Sequence, residues 1–278
     1  MKRIVFLNGK FIAQENAKLS ILSSGFLYGQ GAFETMRSYD GNIFALDRHL
    51  QRLKNSLPLV NINMPYSQKE LTQAVNRAFK LNKLNNAYLR LTIWQGEKKA
   101  NALIFVKDFK GYSAKSYKKG FKGLIVDCRL NESSPLSRIK STNYLLFYLA
   151  RKEAQIKGFD EALFLNTKGF LCEGSRSNIF LVKDNKLITP SLNCGCLPGV
   201  TRQIVIELAK KFEISVAEKE IIHKDLFKAK EAFLTNSLME IMPLTKVNNS
   251  YINKGRVGEI TKLLQFKYKQ EIRSLVKP

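Results

Sequence analysis

Arg138-Ile139-Lys140-Ser141-Thr142-Asn143-Tyr144-Leu145, near the middle of the 278-residue chain, places a lysine just before a helical run and an aromatic hydroxyl one turn later. Lysine and arginine together number 46, so one lysine says little by itself. Its meaning comes from its surroundings. Upstream, residues 124–128 are strand-like, and downstream 144–157 predict a helix stopped by Gly158. Beyond that helix, 161–165 and 178–183 predict strands, 200–212 a strongly amphipathic helix, 231–235 and 241–247 short strands, and 257–275 a closing helix. Helix-bearing connections between the strands point to an α+β or mixed-sheet architecture.

The N-terminal half reads differently. Residues 3–13 predict a hairpin, because apolar runs flank Asn8-Gly9, a pair that tolerates the positive φ of a type I′ turn. Residues 23–39 pass through Gly25, Gly29 and Gly31 into an alternating strand. These glycines mark turns or close backbone approach, since no G-x-G-x-x-G is completed and a dinucleotide fingerprint is excluded. Leu46, Leu50, Leu53 and Leu57 recur at helical spacing, with His49 and Arg52 on the flanks. Ser67-x-x-Glu70 is a capping box that opens a second helix running to about residue 80. Residues 88–94 and 102–106 predict strands joined by the polar loop 95–101. From 107 to 119 the composition turns to glycine, serine, tyrosine and lysine without apolar periodicity. The expected division is therefore a small domain at 1–112, a linker at 113–122 and a larger domain at 123–278.

Hydrophobic residues at 45% and charged residues at 25% describe a chain that folds. The net charge of +23 raises nucleic acid as a partner. The lysines, however, are spread through every predicted element, with no arginine-rich run and no recurring aromatic-basic alternation. No segment reaches the ~18 apolar residues that span a bilayer, and the apolar run after Met1-Lys2-Arg3 is too short for a signal peptide. The expected location is cytoplasmic. Cys128, Cys172, Cys194 and Cys196 suit a reducing compartment. Cys194-Gly195-Cys196 lacks a second pair or a nearby histidine, so no metal is expected.

Four features of the second half gain meaning together: Lys140, the carboxylate Glu173, the helix start at Gly199-Val200-Thr201, and Thr235-Asn236-Ser237 after a strand. Alone they read as a surface lysine, a turn carboxylate, a loop-to-helix entry and a polar strand end. A helix N-terminus with a hydroxyl suits a phosphate, Ser237 could complete that cup, and Arg52 could clamp it. A carboxylate can hold a protonated pyridine nitrogen, and a lysine can form a Schiff base with an aldehyde. Phosphate, pyridine and aldehyde together describe pyridoxal 5′-phosphate.

With these residues the sequence resembles the class IV aminotransferases, the fold-type IV pyridoxal-phosphate enzymes, from residue 7 to residue 243. The resemblance is carried by Gly29-x-Gly31-x-Phe33-Glu34-Thr35-x-Arg37, His49-Leu50-x-Arg52-Leu53 and Lys140-Ser141-x-Asn143-Tyr144-Leu145, then by Asp160-Glu161-Ala162-Leu163-Phe164-Leu165-Asn166, Glu173-Gly174-Ser175-x-Ser177-Asn178-Ile179-Phe180 and Leu197-Pro198-Gly199-Val200-Thr201-Arg202. It implies an α+β fold of two α/β domains with the cofactor in the cleft between them, and a homodimer. It further implies that Lys140 is the Schiff-base lysine and general acid/base, that Glu173 pairs with the pyridine nitrogen and that Tyr144 bonds the phenolic oxygen. Arg52, Val200, Thr201, Asn236 and Ser237 would hold the phosphate. Phe33, Arg37, Tyr88 and Arg90 fall at substrate-facing positions.

Within the family, Phe33-Glu34-Thr35, Glu173-Gly174-Ser175-Arg176-Ser177-Asn178 and Thr235-Asn236-Ser237-Leu238-Met239-Glu240-Ile241-Met242-Pro243 look more like 4-amino-4-deoxychorismate lyases. Such an enzyme releases pyruvate and 4-aminobenzoate, a step of folate biosynthesis, and a positive surface would gather its dianionic substrate. Ala87-Tyr88-Leu89-Arg90 and Asn143-Tyr144 resemble branched-chain aminotransferases instead. The short loop 95–101 lacks the arginine-and-histidine pattern of D-amino acid aminotransferases, and also the arginine- and glycine-rich loop of many lyases. A basic nucleic-acid-binding module is the alternative of another class, recognisable by a colourless protein with salt-dependent affinity for DNA or RNA.

Overall fold

In the computed structural model, which describes residues 2–276, Asn8 and Gly9 have φ of 48° and 89° and join strands β1 (Ile4–Leu7) and β2 (Lys10–Ala13). This is the turn that the Asn-Gly pair predicts. The elements that follow are α1 (Ser24–Leu27), β3 (Gly31–Tyr39), β4 (Asn42–Ile43), α2 (Leu46–Ser56), α3 (Gln68–Leu81), β5 (Ala87–Gln95) and β6 (Ala100–Asp108). The strands form an antiparallel sheet in the order β2-β1-β6-β5-β3-β4.

Alternation along β3 and β5 gives this sheet two unlike faces. Met36, Leu89, Leu91 and Ile93 point into a core completed by Leu50 and Leu53 of α2 and by Leu71, Val75 and Phe79 of α3. The other face carries Phe33, Thr35 and Arg37 opposite Thr92, Arg90 and Tyr88. The predicted capping box is present: the Glu70 amide donates to Ser67 Oγ at 3.2 Å, and Glu70 Oε2 accepts from the Ser67 amide at 2.7 Å.

The remaining elements are α4 (Ala114–Lys119), β7 (Phe121–Leu130), α5 (Leu145–Ile156), β8 (Glu161–Asn166), β9 (Leu171–Gly174), β10 (Asn178–Lys183), β11 (Lys186–Pro190), α6 (Val200–Lys211), β12 (Val216–Lys219), α7 (His223–Lys228), β13 (Glu231–Asn236), β14 (Glu240–Val247), β15 (Ser250–Tyr251) and α8 (Glu259–Val276). Their strands form a mixed sheet in the order β12-β11-β10-β13-β14-β7-β8-β9, with β15 paired to β14. β7 runs parallel to both β8 and β14, and α5 makes the β7–β8 crossover. On one face Leu163, Leu181, Leu234 and Leu244 share a core, and on the other Val126 and Phe164 pack with Ala150 and Ala154 of α5.

The chain thus forms two units. Of the described residues, the first holds 2–110, 139–144 and 272–276; the second holds Gly111–Arg138 and Leu145–Glu271. The linker expected at 113–122 is instead regular structure. Ser113 caps α4, Gly120 ends it at φ 73°, and β7 begins one residue later. Tyr117 donates to the Met239 carbonyl at 3.2 Å and Thr245 to that of Lys119 at 2.8 Å, which ties α4 into the second unit. A six-residue helix is too short to show apolar periodicity, hence the linker reading. The stretch at 139–144, expected within the larger domain, belongs with the first unit.

Candidate functional site

In the first unit, residues 140–142 lie as an added edge along β3. The Phe33 amide donates to the Lys140 carbonyl at 2.8 Å, the Thr142 amide donates to that of Gly31 at 2.9 Å, and Ala32 bridges Ser141. Gly31 permits the approach, since a Cβ there would stand 2.8 Å from the Ile93 carbonyl oxygen and 3.0 Å from Thr142 Oγ1. Asn143 closes the segment by donating to the Gly29 carbonyl at 2.9 Å.

This edge sets Lys140 over the exposed-side residues of β3. Its Nζ lies 4.8 Å from the Phe33 ring centroid and 5.8 Å from that of Tyr144, and the two rings meet edge-on at 5.6 Å. The Arg90 guanidinium lies 3.5 Å from the same Phe33 centroid, and Arg90 Nε donates to Thr92 Oγ1 at 3.2 Å. One aromatic ring therefore gathers two cations, an arrangement that the ring quadrupole favours. Arg37 is four residues along β3 from Phe33, about 13 Å at strand rise. It is held by Tyr39 and Phe109, at 4.4 and 5.2 Å from the ring centroids. Tyr88 stacks on Phe105 beneath Lys107. Of the four positions expected to face substrate, Phe33 and Arg90 are thus brought to the lysine, while Arg37 and Tyr88 are cross-strand partners farther along the same face.

Arg52 is drawn into a buried group. Its Nε and Nη2 donate to Glu34 Oε1 and Oε2 at 2.8 and 2.6 Å, and His49 Nδ1 donates to Oε2 at 2.7 Å. Burial pushes the Glu34 carboxyl up, but the charge of Arg52 and the hydrogen bonds from His49 and Arg52 outweigh it and hold it at about 2. Burial pushes His49 down despite Glu34, so the imidazole is neutral at pH 7. Sequence reading assigned no role to Glu34 or His49. The signal was there: β3 alternation sets a carboxylate on the apolar face, and His49 and Arg52 stand three apart on α2, one helical face.

In the second unit, Glu173 is buried on β9, and its Oε2 accepts from the Leu197 amide at 3.0 Å. Asn178 Nδ2 donates to the Leu197 carbonyl at 2.8 Å, so the backbone of Leu197 is held at both its N–H and its C=O. A Cβ at Gly199 would fall 2.0 Å from Asn178 Oδ1, so any larger residue there would displace the Asn178 side chain from the Leu197 carbonyl. Gly199 is also the N-cap of α6 and offers no side-chain cap, which leaves the first-turn amides at Val200 and Thr201 oriented for an acceptor. At the β13–β14 turn, Asn236 Nδ2 donates to the Arg176 carbonyl at 2.9 Å while Oδ1 accepts from the Leu238 and Met239 amides, both at 2.8 Å. Both ends of the Asn236 side-chain amide thus shape the turn, so a phosphate contact at Asn236 would fall to its backbone, beside Ser237.

These residues fit a pyridoxal phosphate. The donor set is the chemistry such a group needs: a lysine amine for an aldehyde, a buried carboxylate for a protonated pyridine nitrogen, and an uncapped helix start with a threonine hydroxyl for a phosphate.

Comparison with known proteins bears on the same residues. The family model for amino-transferase class IV matches 31–247. A putative branched-chain-amino-acid aminotransferase of Methanocaldococcus jannaschii is 37% identical, covering 95% of each chain. An aminodeoxychorismate lyase of Bacillus subtilis is 35% identical, covering 98% of this chain and 96% of its own. The solved branched-chain amino acid aminotransferase of Escherichia coli superposes with a TM-score of 0.94 at 28% identity, covering 100% of this chain and 97% of that one.

Proposed function

The chain belongs to the class IV amino-transferases, enzymes that use pyridoxal 5′-phosphate, and from that premise we propose that it is a 4-amino-4-deoxychorismate lyase, releasing pyruvate and 4-aminobenzoate. The bound cofactor supplies an aldehyde that condenses with amines and a ring that accepts the electron pair left at the substrate's amino-bearing carbon. Lys140 Nζ removes the proton from that carbon. Loss of the enolpyruvyl group then completes the aromatic ring, with Lys140 returning its proton to the departing group. With the cofactor bound, Glu173, fixed by the Leu197 amide, would keep the pyridine nitrogen protonated, and Tyr144 would donate to the phenolic oxygen. Arg52, the amides of Val200 and Thr201, the Thr201 hydroxyl and Ser237 would hold the phosphate.

The observation that carries the lyase reading is the Arg90 guanidinium at the Phe33 ring, which is also the ring beside Lys140. A branched aliphatic side chain gains by leaving water for an apolar wall, whereas a guanidinium at that wall favours a substrate carboxylate. Aminodeoxychorismate carries two carboxylates. Transamination of branched-chain amino acids is the second reading, favoured by the 37% identity to the archaeal relative and by the likeness to the solved enzyme. A two-substrate comparison decides between them: aminodeoxychorismate yields pyruvate and aminobenzoate under the first reading, and leucine with 2-oxoglutarate yields glutamate under the second. Product from leucine alone overturns the lyase assignment.

We further propose a homodimer. Leu19, Ile21, Leu22, Phe26, Leu27 and Tyr28 are between 51 and 73% exposed within ten residues of the first unit, a concentration of exposed apolar side chains of the kind that marks interaction surfaces. In the second unit Leu145, Tyr148 and Leu149 of α5 are exposed too. No helix of the described residues is long and apolar enough to cross a membrane. The cysteines, all unpaired, suit the reducing cytoplasm where we place the enzyme.

A further inference from the structure

Glu34 lies 1% exposed on the core face of β3, in line with Ala32 and Met36. A carboxylate at such a position is costly, and an apolar residue of similar volume is often as stabilising as a buried ion pair. Three donors converge on it: Nε and Nη2 of Arg52 as a bidentate fork, and Nδ1 of His49. Since His49 is also 1% exposed and neutral, the group holds one negative and one positive charge.

We infer that Glu34 is the positioning residue for Arg52, fixing the guanidinium plane so that the cofactor phosphate meets a preset donor. His49 is the brace that keeps the carboxylate from turning. The inference rests on the proposed phosphate role of Arg52. Two effects of Glu34 oppose each other. Its charge offsets that of Arg52 and weakens the pull on a phosphate dianion, while its bidentate grip removes the ordering cost of a long side chain. The second effect wins where the fork is buried and doubly bonded, because a guanidinium held at two nitrogens has little freedom left to lose.

The test compares two cofactors that differ only in the phosphate. Release of pyridoxal 5′-phosphate from the holoenzyme is followed by its visible absorbance. Rebinding of pyridoxal 5′-phosphate or of pyridoxal to the resolved protein is then titrated. Glu34→Gln is expected to lower affinity for pyridoxal 5′-phosphate at least tenfold and to leave pyridoxal within about twofold. Unchanged or tighter binding of the phosphorylated cofactor overturns the inference, tighter binding meaning that Glu34 acts by charge alone. Should Glu34→Gln not fold, His49→Leu carries the test, with a several-fold loss confined to the phosphorylated cofactor, and Glu34→Asp restores part of the selectivity. Arg52→Gln separates the premise from the inference. If that variant keeps the phosphate preference, the assignment of Arg52 fails and the inference falls with it. If Arg52→Gln loses the preference while Glu34→Gln and His49→Leu keep it, the role of Glu34 alone is refuted.

Discussion

The Phe33 amide donates to the Lys140 carbonyl at 2.8 Å, so the main chain of the lysine is fixed by the strand whose ring lies 4.8 Å from its Nζ. Backbone and side chain of Lys140 are thus set by the same residue. Gly31→Ala tests how much depends on this edge, because the new Cβ would press on the Ile93 carbonyl and Thr142 Oγ1. Overpacking of this kind costs about 1–3 kcal/mol. Urea unfolding should show that loss, and turnover should fall further than stability alone accounts for, since residues 140–142 must move away from β3.

Lys140→Ala should remove the chemistry while sparing the fold. General acid/base catalysis contributes about 10²–10⁴-fold, and turnover should drop by at least that factor. Borohydride should fix a pyridoxyl group on Lys140 of the wild-type holoenzyme and none at residue 140 of the variant. A Lys140→Ala protein that still turns over substrate at wild-type rate would refute the role assigned to this lysine. Glu173→Gln should keep the bond from the Leu197 amide, retain cofactor and yet lose activity.

The buried group around Glu34 makes stability depend on acid. The Glu34 carboxyl is held at about 2 against an ordinary 4.5. The unfolded chain therefore binds a proton that the folded chain refuses between those values. Its contribution, on the order of 3 kcal/mol from the size of that gap, is fully present above about pH 4.5 and is lost as pH falls towards 2. His49 acts in the same direction. Its folded pKa lies below the ordinary 6.5, so the unfolded state takes up the proton first and stability begins to fall below about pH 6.5. Urea midpoints measured from pH 7 downwards should decline in two stages. Glu34→Gln should flatten the lower stage and His49→Leu the upper one.

Much of the first unit was legible because its elements obey local rules. Asn8-Gly9 dictates a type I′ turn, four leucines at helical spacing make α2, and Ser67 with Glu70 opens α3. The second unit hid more. β9 is four residues long and buried throughout, so it shows no alternation. β11 ends in Pro190 and pairs in parallel with β12, a partner nearly thirty residues away. Within the candidate site, Lys140, Glu173 and Thr201 stood out in the sequence because each would answer one chemical need of the cofactor. Glu34 did not, since its partners Arg52 and His49 come from another element. The turn-shaping bond of the Asn236 side chain was hidden for a similar reason: its acceptor, the Arg176 carbonyl, lies 60 residues away in the sequence.

Thiol reactivity should divide the cysteines one against three. Cys172, Cys194 and Cys196 are each 1% exposed, and burial pushes all three thiols up, Cys196 to about 12. Cys128 is exposed. Since the thiolate is the reacting species, a colorimetric disulfide reagent should titrate one thiol in the folded protein and four in denaturant. Rapid reaction of more than one folded thiol would show that the region of Cys194 and Cys196 opens in solution.

Arg90 separates the two substrate readings most sharply. Arg90→Met keeps an unbranched apolar side chain but removes the guanidinium whose central carbon lies 3.5 Å from the Phe33 ring centroid. A charge-assisted hydrogen bond contributes about 1.5–3 kcal/mol. If Arg90 receives a substrate carboxylate, kcat/KM for aminodeoxychorismate should therefore fall about ten- to hundredfold. The loss should appear chiefly in KM if the contact is made equally in the bound substrate and the transition state, because uniform binding leaves kcat unchanged. Leucine offers no second carboxylate but 2-oxoglutarate does, so the half-reaction with leucine alone, followed by cofactor absorbance without 2-oxoglutarate, should hold or improve as the wall becomes apolar. A variant that loses the leucine half-reaction as steeply as aminodeoxychorismate turnover would place Arg90 in the support of Phe33 and Lys140, with no part in substrate choice.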